Sequence, residues 1–146
     1  MDFTVHPLKG VNDIEFGMPA EEVRRIIGEM PEEFRRHDEI YPSDHFVEVG
    51  VFGYYDPEGH LEAIEFTDPA RAILGVTNIL DLPFGQAASL MKQVDPEALV
   101  DRDMVTSKRY CLSIWSSAGF KDDAEQVEAF LVGRPGYYDT LDSLTS

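Results

Sequence analysis

Cysteine is nearly missing from this chain. Cys111 stands alone among 146 residues, so no internal disulfide can form. Basic residues are scarce too: twelve Lys and Arg, only four of them Lys, face 28 Asp and Glu, for a net charge of −16. Such a field repels nucleic acid and anionic membrane surfaces and attracts basic proteins. Solubility, or adaptation to a salty interior, produces the same composition. No apolar run approaches the ~18–20 residues of a membrane-spanning helix. Residues 1–6 lack a basic stretch followed by an apolar one, so no signal peptide is expected and the expected location is the cytoplasm. No Gly-rich phosphate loop is present, and no cofactor is expected.

What is there is a core and a repetition. Hydrophobic residues make up 43% of the chain and aromatic residues 11%, which is the composition of a globular protein. The length predicts a single domain burying roughly 70% of its unfolded surface. The segment Ile14-Glu15-Phe16-Gly17-Met18-Pro19-Ala20-Glu21-Glu22-Val23 is echoed by Leu82-Pro83-Phe84-Gly85-Gln86-Ala87-Ala88-Ser89-Leu90-Met91. At that offset of 68, Phe16 faces Phe84 and Gly17 faces Gly85. Each Phe-Gly predicts a sharp strand-to-helix turn, with the ring packed back on the helix. Pro19 suits the first turn, and Glu21 and Glu22 favour the positive end of the helix dipole. Ala20, Val23, Ile26, Ile27 and Met30 make one apolar stripe, closed by Gly28. Ala87, Leu90, Met91 and Val94 make the second, closed by Pro96.

Residues 46–55 read as one strand, with Val47, Val49, Val51 and Tyr55 on one side and Phe52 and Tyr54 on the other. Asp56-Pro57-Glu58-Gly59 carries a type I turn signature and returns the chain through residues 61–66. Residues 31–38 read as a charged loop with Phe34 turned inward. Residues 72–80 lead into the second helix, 109–115 alternate as a strand, and 126–132 echo 60–66 at an offset of 66. The expected fold is α+β: a tandem repeat of strand, helix and β-hairpin units, residues 1–68 and 69–139, with a frayed tail at 140–146. The repeats are expected to share one mainly antiparallel sheet, with both helices on one face.

No metal site is expected, since His6, His37, His45 and His60 show no ligand spacing. Were a metal bound, His37, Asp38, Asp44 and His45 would be the ligands to examine. Asp101-Arg102-Asp103 lacks the glycine and terminal glutamate of a calcium loop and reads as a solvated turn. Cys111 reads as a packed thiol. The aromatic residues out of phase with the core stripe are the candidates for binding. Trp115, Phe52, Tyr54, Tyr137 and Tyr138, ringed by Asp44 and Glu48, make a plausible protein-binding surface. A second small core or a covered dimer face explains the same pattern.

The run Gly17-Met18-Pro19-Ala20-Glu21-Glu22-Val23-Arg24-Arg25-Ile26-Ile27-Gly28 resembles the Gly-Met-Thr helix motif of β-lactamase inhibitor proteins, shared by the small outer-membrane-assembly lipoproteins. The chain also looks like uncharacterised bacterial proteins with a similar start and hairpin. The resemblance covers about a dozen residues and the order of elements, with Pro19 in place of the usual Ser or Thr. It implies a helix followed by antiparallel strands, repeated, and a sheet that grips a protein target. No binding residue of that family maps onto this chain. The expected function is a non-enzymatic protein-binding module, immunity-like or inhibitory, for a basic partner. The alternatives are a small-ligand-binding or hydrolytic domain using carboxylates and His45, and a scaffold forming a homodimer.

Overall fold

Proline decides where both helices start. The computed structural model describes residues 2–36, 39–117 and 125–139. In it, helix α1 runs Ala20–Ile27 and helix α2 runs Phe84–Val94. Pro19 and Pro83 occupy the same entry position, with φ −68°, ψ 153° and φ −59°, ψ 147°. A fixed φ and a missing N–H are well tolerated at a helix entry. The two helix entries therefore lie 64 residues apart, not 68. Ala20, Val23 and Ile27 are buried on α1, and Phe84, Ala87 and Met91 are buried on α2. Phe84 is the first helical residue of α2, whereas Phe16 is half-buried ahead of α1. The expected match of Phe16 with Phe84 is thus corrected, because the prolines rather than the Phe-Gly pairs set the register. Gly28 ends α1 with φ 78° and donates its N–H to the Arg24 carbonyl. Met30 lies beyond that cap, 88% exposed, and falls off the predicted stripe.

Thirteen strands complete the described chain. The first three are β1 (Asp2–His6), β2 (Gly10–Val11) and β3 (Ile14–Glu15). Between the helices come β4 (Glu32–Phe34), β5 (Ser43–Phe46), β6 (Val51–Tyr55), β7 (Leu61–Thr67), β8 (Arg71–Leu74) and β9 (Thr77–Asn78), then a single 3-10 turn at Ile79–Asp81. After α2 come β10 (Leu99–Asp101), β11 (Met104–Ser107), β12 (Leu112–Trp115) and β13 (Ala129–Gly133). They form two sheets rather than the single one expected. The large sheet is antiparallel throughout, in the order β10-β11-β12-β13-β7-β6-β5-β4. The small sheet has the order β3-β2-β1-β8-β9 and contains the parallel pair β1 and β8. Its buried residues Phe3, Val5 and Ala72 share one core with both helices and the large sheet, and the Phe3 ring lies 5.4 Å from Phe66.

Three smaller expectations also change. Residues 46–55 are not one strand: β5 and β6 are joined by a turn with Gly50 at φ 73°, so Val47 is exposed. Alternating valines look the same in a strand and across a tight turn. Residues 32–34, read as loop, pair with β5 as an edge strand. Strand β12 begins only at Leu112, because Cys111 has φ 54° and turns the chain there.

The order helix then four strands occurs twice, as α1 with β4–β7 and α2 with β10–β13. Local hydrogen bonds correspond as well. The Leu61 N–H donates to the Met18 carbonyl and the Val127 N–H to the Leu82 carbonyl. Ala20 N–H donates to Gly59, and Phe84 N–H to Glu125. Strands β7 and β13 pair at the centre of the large sheet, with Phe66 opposite Phe130. Both rings are fully buried on the helix side.

Candidate functional site

Strand register sorts the candidate residues onto two faces, because directly paired residues of an antiparallel sheet point the same way. On the face away from the helices, one row runs His45, Phe52, Glu65, Leu131, Ser113, Thr106 and Leu99. A neighbouring row holds Thr67, Ala129, Trp115 and Met104, and another holds Tyr54, Ala63 and Gly133. The short segment after β13 folds back over this face. Its Arg134 N–H donates to the Glu62 carbonyl, and the Tyr137 ring lies on Gly133. A Cβ at Gly133 would stand 3.0 Å from Tyr137, so a larger residue there would push the ring back by a few tenths of an ångström.

Part of the face is a second, smaller core. Tyr54, Ala63, Cys111 and Tyr137 are buried together, with Phe34, Phe52 and Tyr138 packed against them. His45 stacks flat on Phe52, ring centres 4.0 Å apart, and Phe34 meets Phe52 edge-on. The Arg36 guanidinium sits 3.8 Å above the Tyr54 ring and donates to Glu39. Burial raises the Tyr54 phenol far above its ordinary value, helped by the carboxylate of Glu65, to which its hydroxyl donates. Burial also raises Tyr137, offset in part by Arg36. Tyr138 is raised by burial, offset in part by the neighbouring Ser113 hydroxyl. All three phenols stay neutral near pH 7.

Beside this second core the face opens into a groove of about 450 Å³, lined by Glu65, Met104, Ser113, Trp115, Ala129, Leu131, Tyr137 and Tyr138. Trp115 is half-buried, and its indole N–H donates to Asp103 at 3.1 Å, which fixes the ring. Glu65 is the only charged residue among the described residues lining the groove. Tyr54 holds one of its oxygens, and the other accepts no hydrogen bond among the described residues.

The structure therefore brings Trp115, Tyr137 and Tyr138 to one groove and keeps Phe52 and Tyr54 on the same face. Tyr54, 5% exposed, supports the groove from within. Asp44 belongs elsewhere. It is fully buried on the helix side, where it accepts two bonds from Arg24 at 2.8 Å and one from the Tyr55 hydroxyl at 2.8 Å. Its neighbour His45 points to the opposite face, as alternation requires. Glu48 is exposed in the β5–β6 turn, away from the groove, and its N–H donates to Glu29. Glu65, Leu131 and Met104 were not singled out from sequence. The usable signal was parity: Leu131 alternates against the buried Phe130 and Val132, and Glu65 against Ile64 and Phe66.

Among the described residues no three His, Cys, Asp or Glu side chains gather to hold a metal. His37 and Asp38 lie outside the described residues. No described helix is long and apolar enough to cross a membrane. No protein-family model matches the chain, and no curated protein or solved structure matches it.

Proposed function

We propose that this chain is a non-enzymatic protein-binding module that covers a basic partner with the large-sheet face turned away from the helices. The observation that carries the reading is the open groove on that face, walled by Trp115, Leu131, Met104 and Tyr138 around a lone carboxylate. Interfaces concentrate binding energy in aromatic anchors seated in apolar surroundings, with charge at the rim. A net charge of −16 selects basic partners and speeds their encounter. The same proposal takes the two helix-plus-four-strand halves as copies of one unit, with the β7–β13 seam running beside the groove. It places the protein in the cytoplasm, in an immunity-like or inhibitory role.

Affinity capture from lysate of the source cells tests this. A basic protein should be recovered at low salt, released at high salt, and lost with Trp115→Ala while the variant stays folded. Recovery of acidic proteins only, or equal capture by Trp115→Ala, contradicts it.

A homodimer is the second reading, and strand β10 favours it. It is the edge of the large sheet, and its Leu99 and Val100 are each 55% exposed. Unprotected apolar edges pair with other edges. Sedimentation equilibrium decides: a dimer that Val100→Lys converts to monomer supports this second reading. The hydrolytic alternative draws less from the structure, since His45 is stacked on Phe52 and its neighbour Asp44 is on the other face.

A further inference from the structure

We infer that the groove beside Trp115 receives one lysine side chain of the partner, its aliphatic stem along the apolar walls and its ammonium at Glu65. This rests on the protein-binding reading and deepens it. Four features of the groove carry the inference.

First, the lining is apolar or aromatic apart from Ser113 and Glu65, so a charged ligand gains only where it meets that carboxylate. Second, Glu65 and Trp115 stand on strands separated only by β13, roughly 10 Å apart by two interstrand spacings. An alkyl stem lies across Leu131, which sits between Glu65 and Ser113 in the same row. Third, Tyr137 and Tyr138 lie close enough to Glu65 to feel its charge. Aromatic rings there attract a cation, more strongly as water is excluded, while Trp115 is left to pack on the stem. Tyr137 and Tyr138 hold each other edge-to-face, ring centres 5.3 Å apart, and Asp103 pins the Trp115 indole. These walls are fixed before a ligand arrives, which lowers the ordering cost of binding. Fourth, one Glu65 oxygen is held by Tyr54. The planar guanidinium fork of arginine is best matched by both oxygens of a carboxylate, whereas an ammonium is a point charge that needs one.

The chain's only tryptophan reports directly on this groove. Following the Trp115 indole N–H resonance of the full chain, pentylammonium, pentylguanidinium, pentanol and hexanoate are titrated separately. Pentylammonium should shift the signal saturably, and pentanol and hexanoate should bind at least about tenfold more weakly. Glu65→Gln should weaken pentylammonium about tenfold and leave pentanol unchanged. Raising salt on the unaltered chain should weaken pentylammonium and leave pentanol unchanged, which tests the charge without any variant. Equal binding of pentanol, or insensitivity to both salt and Glu65→Gln, overturns the inference. Tighter binding of pentylguanidinium overturns it in favour of arginine, and no shift with any probe removes it altogether. In each of those cases the protein-binding reading still stands or falls on capture by wild type against Trp115→Ala.

Discussion

Asp44 collects the polar chemistry under α1. It is fully buried, meets the Arg24 guanidinium through both oxygens and accepts from the Tyr55 hydroxyl. Arg24 is partly exposed and also reaches Glu33, so it loses less than a wholly buried cation when Asp44 is removed. Asp44→Ala should therefore cost about 3 kcal/mol, below the upper end for breaking a buried pair, as read by urea denaturation. Phe84→Ala should cost ~3–5 kcal/mol, the usual result of emptying a buried phenylalanine site. Phe16→Ala should cost less, about 1–2 kcal/mol, because that ring is half-buried. Glu58→Ala, on an exposed turn, should stay within about ±0.5 kcal/mol. The phenols give a pH signature. Tyr54, Tyr55, Tyr137 and Tyr138 are all raised, chiefly by burial. A raised folded-state value means the neutral phenol is favoured by folding, so the associated stability is intact below the unfolded value. It is lost as pH rises from about 10 upward. Phenolate absorbance from these four of the six tyrosines should appear together with loss of tertiary structure. Ionisation of all six near pH 10 in a still-folded chain would contradict their burial.

Elements explain which parts of the fold could be read from sequence. Helix α1 was legible because three local rules agree on it: Pro19 at the entry, acids in the first turn, and Gly28 in left-handed geometry at the end. Gly28→Ala should cost about 1 kcal/mol through that positive φ, measured as a shift in the denaturation midpoint. The hairpin of β6 and β7 was legible from its turn, where Asp56 accepts from the N–H groups of Glu58 and His60. The small sheet was not legible. Pairing β1 with β8 is a contact between distant parts of the chain, and two short runs with one buried side each give no local sign of their partner. The Phe-Gly pairs of the sequence do not mark equivalent places: Phe84 is the first helical residue of α2, whereas Phe16 lies ahead of α1. Of the candidate groove, only the parity of its aromatic residues is legible in the sequence. Trp115 and the tyrosines stand out in the sequence as aromatic residues out of phase with the core, whereas Asp44 and Glu48 have only their charge to suggest a binding surface. Burial settles Asp44, and burial depends on α1 lying over β5, which no local pattern states.

At the scale of the whole molecule, charge and architecture act on different parts of binding. On the proposed binding reading, a net charge of −16 would set long-range attraction and salt dependence, and the groove would supply short-range contact. Variants at exposed carboxylates should change the association rate and its salt dependence. Trp115→Ala should instead raise the dissociation rate, costing ~2 kcal/mol or more. The helix side carries α1, the small sheet and α2 over one core, so the proposed partner surface is the opposite face of the large sheet. Hydrogen exchange on the captured complex tests that assignment most directly. New protection should fall on residues 63–67, 112–115 and 129–138, with the helices α1 and α2 unchanged. Protection concentrated on α1 and α2, with the β7, β12 and β13 amides unaffected, would contradict it.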